Sequence, residues 1–254
     1  MDLPPVGLGT MGIDDPGAVE TAVDVGYRHL DTAQIYGNEA VVGEGIAASD
    51  TPREELTIAT KLWVDSLAAG DVAPAAAASL DRLGLGSVDL LYVHRPRGDY
   101  DPERTLPALD GLVDDGLVEG VGLSNFEPDQ LERAREVLDA PVAAHQVEFH
   151  PYFGNRELLA DARDHGYPLV AYSPLIGGEA FDDPVLTEIA AAHDTSPAAV
   201  AIAWALAHEN VVTIPKASSE EHLRANLAAR SLELSSAEIE RIDDIDRERE
   251  LYPE

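Results

Sequence analysis

Asp31, Tyr36, Lys61 and His94 are the residues whose types could carry proton chemistry. Asp31 stands near the end of the short apolar run His29–Ala33, and Tyr36 follows five residues later on a loop. Lys61 lies in Ala59-Thr60-Lys61-Leu62-Trp63, and His94 ends the run Leu91-Tyr92-Val93. A tyrosine hydroxyl titrates near 10 in water, too high to release its proton readily at neutral pH. A neighbouring ammonium stabilises the phenolate and lowers that value, while a carboxylate keeps the ammonium charged and in place. A histidine at the same point orients or polarises a carbonyl oxygen. Together the four would protonate an oxyanion as hydride reaches the adjacent carbon. Singly, each has a bland role open to it: a turn cap, a rim aromatic, a solvated rim charge, a core histidine. No acyl-transfer nucleophile with a paired base stands out, and no metal-ligand spacing of the His-Glu-x-x-His kind is present, so no metal is expected.

The elements that must hold these residues alternate along the chain. Apolar runs with strand character are Val6–Gly9, His29–Ala33, Leu56–Leu62, Val88–His94, Val118–Leu123, Ala143–Phe149, Tyr167–Tyr172 and Val211–Ile214. Helical patterns lie between them: Ala18–Val25, Asp71–Leu83, Leu106–Val113, Asp129–Leu138, Arg156–His165, Pro197–His208 and Glu220–Ala229. Asn38 reads as the cap of a further helix carrying Val41, Val42 and Ile46. Eight strand–helix units without a linker or composition break predict a (β/α)8 TIM barrel, one domain over residues 1–254. Extra helices are expected at Pro184–Ala192, between strands 7 and 8, and at Ser236–Arg247 behind a cap on Ser235. A barrel gathers its strand C-termini on one face, so Asp31, Lys61 and His94 aim into one mouth within reach of Tyr36. Gly7-Leu8-Gly9-Thr10-Met11-Gly12 matches G-x-G-x-x-G, but Pro4 and Pro5 before it and Asp14-Asp15-Pro16 after it argue against a Rossmann turn.

Charge narrows the partners. Forty-eight acidic residues against 17 basic ones give a formal net charge of −31, which phosphate backbones would repel. The acids are scattered over amphipathic segments, so they read as the solvated surface of a salt-adapted, halophilic protein of the haloarchaeal type. There are no cysteines, no apolar run long enough to span a bilayer and no secretory leader, so a cytoplasmic, high-salt setting is expected. Only two lysines occur, Lys61 and Lys216, which marks both positions.

Several motifs together carry a resemblance. Gly7-Leu8-Gly9-Thr10, Leu30-Asp31-Thr32-Ala33 with Tyr36-Gly37-Asn38-Glu39, and Thr60-Lys61-Leu62-Trp63 are followed by Gly122-Leu123-Ser124-Asn125-Phe126. Gln146-Val147-Glu148-Phe149-His150-Pro151, Ala171-Tyr172-Ser173-Pro174-Leu175 and Ile214-Pro215-Lys216 complete the series. In this order and over nearly the whole length, the chain resembles the aldo-keto reductases. The resemblance implies a barrel that binds NADPH or NADH across its mouth and interconverts small-molecule carbonyls and alcohols, with Asp31, Tyr36, Lys61 and His94 as catalytic tetrad. It implies that Ser124, Asn125 and Gln146 bind the nicotinamide carboxamide, that Tyr172 stacks on the ring and that Ser173 to Leu175 meet the pyrophosphate. Lys216 would face the adenosine ribose, with Gly9, Thr10, Met11, Asp31, Ile214, Pro215, Ala217, Ser218, His222 and Asn226 completing the cofactor site. Met11, Trp63, His94 and Arg95 would line the substrate pocket.

Departures from the family pattern qualify this. Ala217, His222 and Ala225 stand where the family often has Ser, Arg and Glu, which weakens a strict preference for the 2′-phosphate and suggests use of both cofactors. Met11 and Arg95 replace tryptophans common in relatives, and Arg95 suits a carboxylate-bearing substrate or, equally, a surface acid. Loop lengths after strands 4 and 7 suggest an open pocket, and a monomer is expected. A cofactor-binding sensor with little turnover and a Lys61 Schiff-base enzyme are the other classes compatible with a barrel.

Overall fold

The helix starts are written plainly in the chain. Pro16, Pro102, Pro128, Pro184 and Pro197 each occupy the first helical turn, where a missing N–H costs nothing. Asp15, Asp101, Asp183 and Ser196 precede four of them and accept a backbone N–H from the turn they cap. The computed structural model describes residues 1–253. Its helices are α1 (Pro16–Val25), α2 (Glu39–Ala48), α3 (Ala69–Leu83), α4 (Pro102–Asp114), α5 (Pro128–Val137), α6 (Arg156–His165), α7 (Pro184–Ala192), α8 (Pro197–Leu206), α9 (Glu220–Ala228) and α10 (Ser236–Asp243). The strands are β1 (Leu8–Gly9), β2 (His29–Asp31), β3 (Thr57–Leu62), β4 (Val88–Val93), β5 (Val118–Ser124), β6 (Ala144–Glu148), β7 (Leu169–Tyr172) and β8 (Val211–Thr213).

All eight strands are parallel and pair in chain order, β1 through β8. A parallel bridge between Val6 and Thr213 joins the two ends: Gly7 N donates to the Thr213 carbonyl at 2.8 Å and Thr213 N to Pro5 at 2.9 Å. This is the (β/α)8 barrel expected from the alternation. Its core has two layers. Inside the barrel lie Leu3, Ala59, Leu90, Tyr92, Ala144, Val170, Val212 and Ile214. Outside, residues such as Leu30, Ile58, Leu62, Val121 and Leu169 face the helices. Tyr92 is the largest interior side chain, and it fits only because β5 offers glycine opposite. A Cβ on Gly122 would lie 2.4 Å from the Tyr92 ring.

Three local expectations need correction. α4 begins at Pro102, four residues before the predicted start, because Asp101 caps it and Pro107 is tolerated inside it. Asn38 does precede α2, but its side chain caps nothing. Its Nδ2 donates to the Thr10 and Ile13 carbonyls and its Oδ1 accepts from Thr32, so it ties the β1 loop to β2. α10 stops at Asp243 instead of Arg247, and the residues beyond it run back over the barrel mouth. Among the described residues no helix is long and apolar enough to cross a membrane, and no cluster of His, Asp or Glu could hold a metal ion.

Burial, above all, holds three histidines neutral: His29 is lowered to about 4, His145 to about 3 and His94 to about 2. In the unfolded chain each titrates near 6.5, so below that pH the unfolded state binds protons that the folded state does not. Their stabilisation is complete above pH ~6.5 and declines as pH falls, by about 2 kcal/mol per histidine at pH 5. Carboxylate repulsion also changes with pH, so the comparison is urea unfolding of the protein against His145→Gln. The variant should show the shallower decline between about pH 7 and 5. Equal slopes would count against a neutral His145.

Candidate active site

The C-terminal ends of β2, β3 and β4 meet at one point. Asp31 is the last residue of β2, and a 3-10 turn over Gln34–Tyr36, closed by Gly37 at φ 68°, swings Tyr36 back over the barrel. Gln34 pins that turn to the next loop, accepting from Trp63 N at 2.8 Å and donating to Ser66 Oγ at 3.0 Å. Lys61, on β3, is fully buried. Its ammonium donates to an Asp31 carboxylate oxygen and, at 2.8 Å, to the Thr32 carbonyl, and lies 5.3 Å from the centre of the Tyr36 ring. The other Asp31 oxygen accepts from Gln146 Nε2 at 2.7 Å. His94 follows β4 with its ring edge-on between Trp63 at 4.9 Å and Tyr36 at 5.9 Å between centroids. Its Nδ1 is buried with no hydrogen-bond partner.

The electrostatics of this group differ in one respect from the expectation. Burial pulls the Lys61 pKa down, but Asp31 and then Tyr36 outweigh it and the net shift is upward, so Lys61 is an ammonium at neutral pH. Burial also dominates at Tyr36 and raises its pKa; Lys61 pulls the other way without prevailing. Tyr36 is therefore a protonated hydroxyl beside a fixed cation, where a net lowering was expected. His94 is lowered to about 2 by burial, then by Lys61 and Arg95, so it is a neutral imidazole. The group thus combines a protonated hydroxyl, a buried ammonium and a neutral imidazole at one point, the set that proton transfer to an oxyanion would need.

Above the group opens a cleft of about 680 Å³. The site residues lining it are Gly9, Thr10, Met11, Asp31, Tyr36, Trp63, His94, Arg95, Ser124, Asn125, Gln146, Tyr172, Ser173, Leu175, Ile214, Pro215 and Lys216. Ala217, Ser218, His222 and Asn226 lie outside its lining, the first two just before α9 and the others along it, where Ser219 Oγ caps the turn at His222 N. Lys61 is sealed beneath it. Sequence reasoning missed Ile35, Gly177, Gly178, Phe181 and Tyr252, which also line it. A signal existed: Gly177-Gly178 directly follows the strand-7 motif, and Tyr252 is the one aromatic in a strongly charged tail. Of the five exposed large hydrophobic side chains among the described residues, four (Met11, Ile35, Phe181 and Tyr252) border this cleft. On so acidic a surface, that apolar rim makes the cleft the candidate binding site.

The cleft's polar groups suit a nicotinamide cofactor. Asn125 adopts a left-handed φ of 59°, which lets its Nδ2 donate to the His94 carbonyl and to Ser124 Oγ, both at 3.0 Å. Its Oδ1 accepts from the Tyr172 hydroxyl at 2.9 Å, fixing that ring at the cleft wall. Gly9 passes so close to β8 that a Cβ there would stand 2.5 Å from the Ile214 carbonyl oxygen. The chain thus offers amide groups and an aromatic face at one end of the cleft, with glycine backbone and the exposed Lys216 along it.

A model of the Aldo/keto reductase family matches residues 5–247. The chain belongs to the aldo/keto reductase family. It is 38% identical over 261 residues to a methylglyoxal reductase of Escherichia coli O157:H7, an alignment covering 100% of this chain and 97% of the relative. To a glyoxal reductase of Bacillus subtilis it is 36% identical, over 100% of this chain and 92% of the relative. Among solved structures, the aldo-keto reductase MGS-M4 from a Medee basin deep-sea metagenome library superposes with a TM-score of 0.95. That structure is 32% identical and the match covers 100% of this chain and 95% of the other. As a member of the aldo/keto reductases, the protein is a nicotinamide-dependent oxidoreductase acting on carbonyl compounds.

Proposed function

We propose that this aldo/keto reductase reduces small aldehydes and ketones with Tyr36 as general acid, and that Asp31, Lys61 and His94 serve that step. The observation that supports the reading best is the buried Asp31–Lys61 ion pair lying under a Tyr36 hydroxyl that faces the cleft. When bound, the nicotinamide supplies hydride to the carbonyl carbon. Tyr36 donates its proton to the carbonyl oxygen, and Lys61 stabilises the phenolate that remains. Asp31 keeps Lys61 charged, and Gln146 holds the second oxygen of Asp31. His94, neutral, positions the oxygen and carries no positive charge to compete with Lys61. Ser124, Asn125, Gln146 and Tyr172 would hold the nicotinamide end, and Lys216 the ribose end.

Lys216 is a point charge without an arginine partner at position 222, so both NADPH and NADH serve, in a protein working as a one-domain monomer in a salty cytoplasm. At molar salt the Debye length is about 3 Å, which mutes the repulsion of a −31 surface and the pull of Lys216 alike. The test is oxidation of each cofactor in about 2 M KCl with a panel of aldehydes, ketones and keto acids. Comparable kcat/KM for the two cofactors is expected; a bias of about a thousandfold, some 4 kcal/mol, rejects dual use. Cofactor binding without turnover on any carbonyl would reject the reductase assignment for these residues. An unfolding midpoint indifferent to KCl would reject the salt adaptation.

Arg95 directs the substrate reading. It lines the cleft beside His94, and its charge reaches both His94 and Tyr172. A guanidinium there accepts a carboxylate through paired hydrogen bonds, so keto acids belong among the substrates. Arg95→Leu is expected to raise KM for a keto acid about tenfold or more while a neutral aldehyde of similar size is little affected. Equal effects on both would remove Arg95 from recognition.

A further inference from the structure

The residues after α10 return to the barrel mouth and are held there by a carboxylate that the reaction does not use. Glu148, the last residue of β6, is 3% exposed and points into the barrel end. One of its oxygens accepts from Leu251 N at 2.7 Å, the other from Tyr252 N at 3.0 Å. His150 Nε2 stands 2.8 Å from the first oxygen. Two consecutive amides of the tail are thus captured by the two oxygens of one buried carboxylate, an arrangement that fixes backbone direction as well as position. The tail is further tied where Arg249 N donates to the Tyr152 carbonyl at 3.0 Å, Arg247 lies over the Tyr152 ring at 4.5 Å, and both arginines pair with Glu179. The result is that Tyr252 packs edge-on against Tyr172 at 5.8 Å and lines the same cleft as Tyr36.

We propose that Glu148 is a positioning residue for substrate: by clipping the tail at Leu251 and Tyr252 it makes Tyr252 a wall of the substrate pocket and a determinant of which carbonyl compounds fit. The inference rests on the reductase reading of the cleft. Glu148 acts through the tail and touches no substrate. Without the clip, the pocket loses one wall and binds carbonyl substrates less tightly, while the groups that move hydride and proton keep their places.

Four proteins test this: the unaltered chain, Glu148→Gln, a chain ending at Glu250, and the two changes combined. Glutamine preserves volume but turns an NH2 toward one of the tail amides, so the clip cannot close. Amide hydrogen exchange at Leu251 and Tyr252 reads the clip without reference to activity. Protection in the unaltered chain and its loss in Glu148→Gln are expected. With methylglyoxal as probe, Glu148→Gln and the shortened chain should each raise KM about tenfold, with kcat altered less than KM. The combined variant should match the shortened chain, because a residue acting only through the tail has nothing to lose once the tail is gone. A further rise in KM in the combined variant would make Glu148 a structural residue of β6. Retained protection in Glu148→Gln, or an unchanged KM with protection lost, would overturn the proposal. If the unaltered chain turns over no carbonyl, the reductase reading fails while exchange still reports whether the clip exists.

Discussion

Tyr36→Phe is expected to lower kcat by about 10²–10⁴-fold, the usual worth of a positioned general acid, while cofactor affinity stays within a few-fold. The ring is kept, so the edge contact with His94 and the position of the Lys61 ammonium over it are both conserved. What disappears is the hydroxyl that, in the proposed mechanism, gives its proton to the carbonyl oxygen and leaves a phenolate for Lys61 to stabilise. Cofactor fluorescence titration together with single-turnover reduction of an aldehyde separates the two effects. A loss under about tenfold would mean that another group or water protonates the oxygen, and Tyr36 would lose its role. The raised pKa adds a second signature. Since burial holds the hydroxyl protonated, the rate of reduction should stay flat through neutral pH and fall only in strong alkali.

Lys61→Met should be costly to the fold as well as to turnover. Asp31 is 1% exposed and its charge is balanced by Lys61, with Gln146 supplying one hydrogen bond. Removing one member of a buried pair strands the other, at about 3–5 kcal/mol. For a chain of this size each kcal/mol moves Tm by about 2–4 °C, so the drop should be large and plain in a thermal scan. Replacing both partners, as in Lys61→Met with Asp31→Leu, should restore part of the stability, because no charge is stranded, although Gln146 Nε2 and the Thr32 carbonyl each lose a partner. It should restore no activity. If Lys61→Met unfolds within about 1 kcal/mol of the unaltered protein, the pair is better solvated than its burial implies.

Much of this was legible in the chain because barrels place chemistry at strand ends. Asp31, Lys61 and His94 are polar residues at or near the ends of apolar runs, and a parallel barrel gathers all three ends at a common mouth. Helix starts were read correctly at Pro184 and at Pro197 behind Ser196, but placed two and four residues late at Asp15-Pro16 and Asp101-Pro102, where the first turn carries no apolar periodicity of its own. Asn38 misled because its composition-level role, a cap, was overridden by two carbonyls of the β1 loop that only folding brings near. The direction of the Tyr36 shift was hidden for a related reason: the Lys61 neighbour is visible in the motif, but the burial that outweighs it is a property of the packed site. The tail was least legible. Ser236–Arg247 carries helical periodicity to its end, yet the final residues are claimed by a carboxylate 103 positions away, and no local pattern encodes such a contact.

The seam that closes the barrel sets a timetable for its making. Val6 bridges Thr213, so the segment that opens the barrel must wait for more than two hundred further residues before its second neighbour exists. At synthesis rates of about 5–20 residues per second, that is roughly 10–40 s with a curved, unfinished sheet offering an unpaired rim. The rim is short: β1 pairs over only Leu8 and Gly9, too little for a passing strand to grip. The brevity of that strand, a weakness in the finished barrel, is a safeguard for the nascent one.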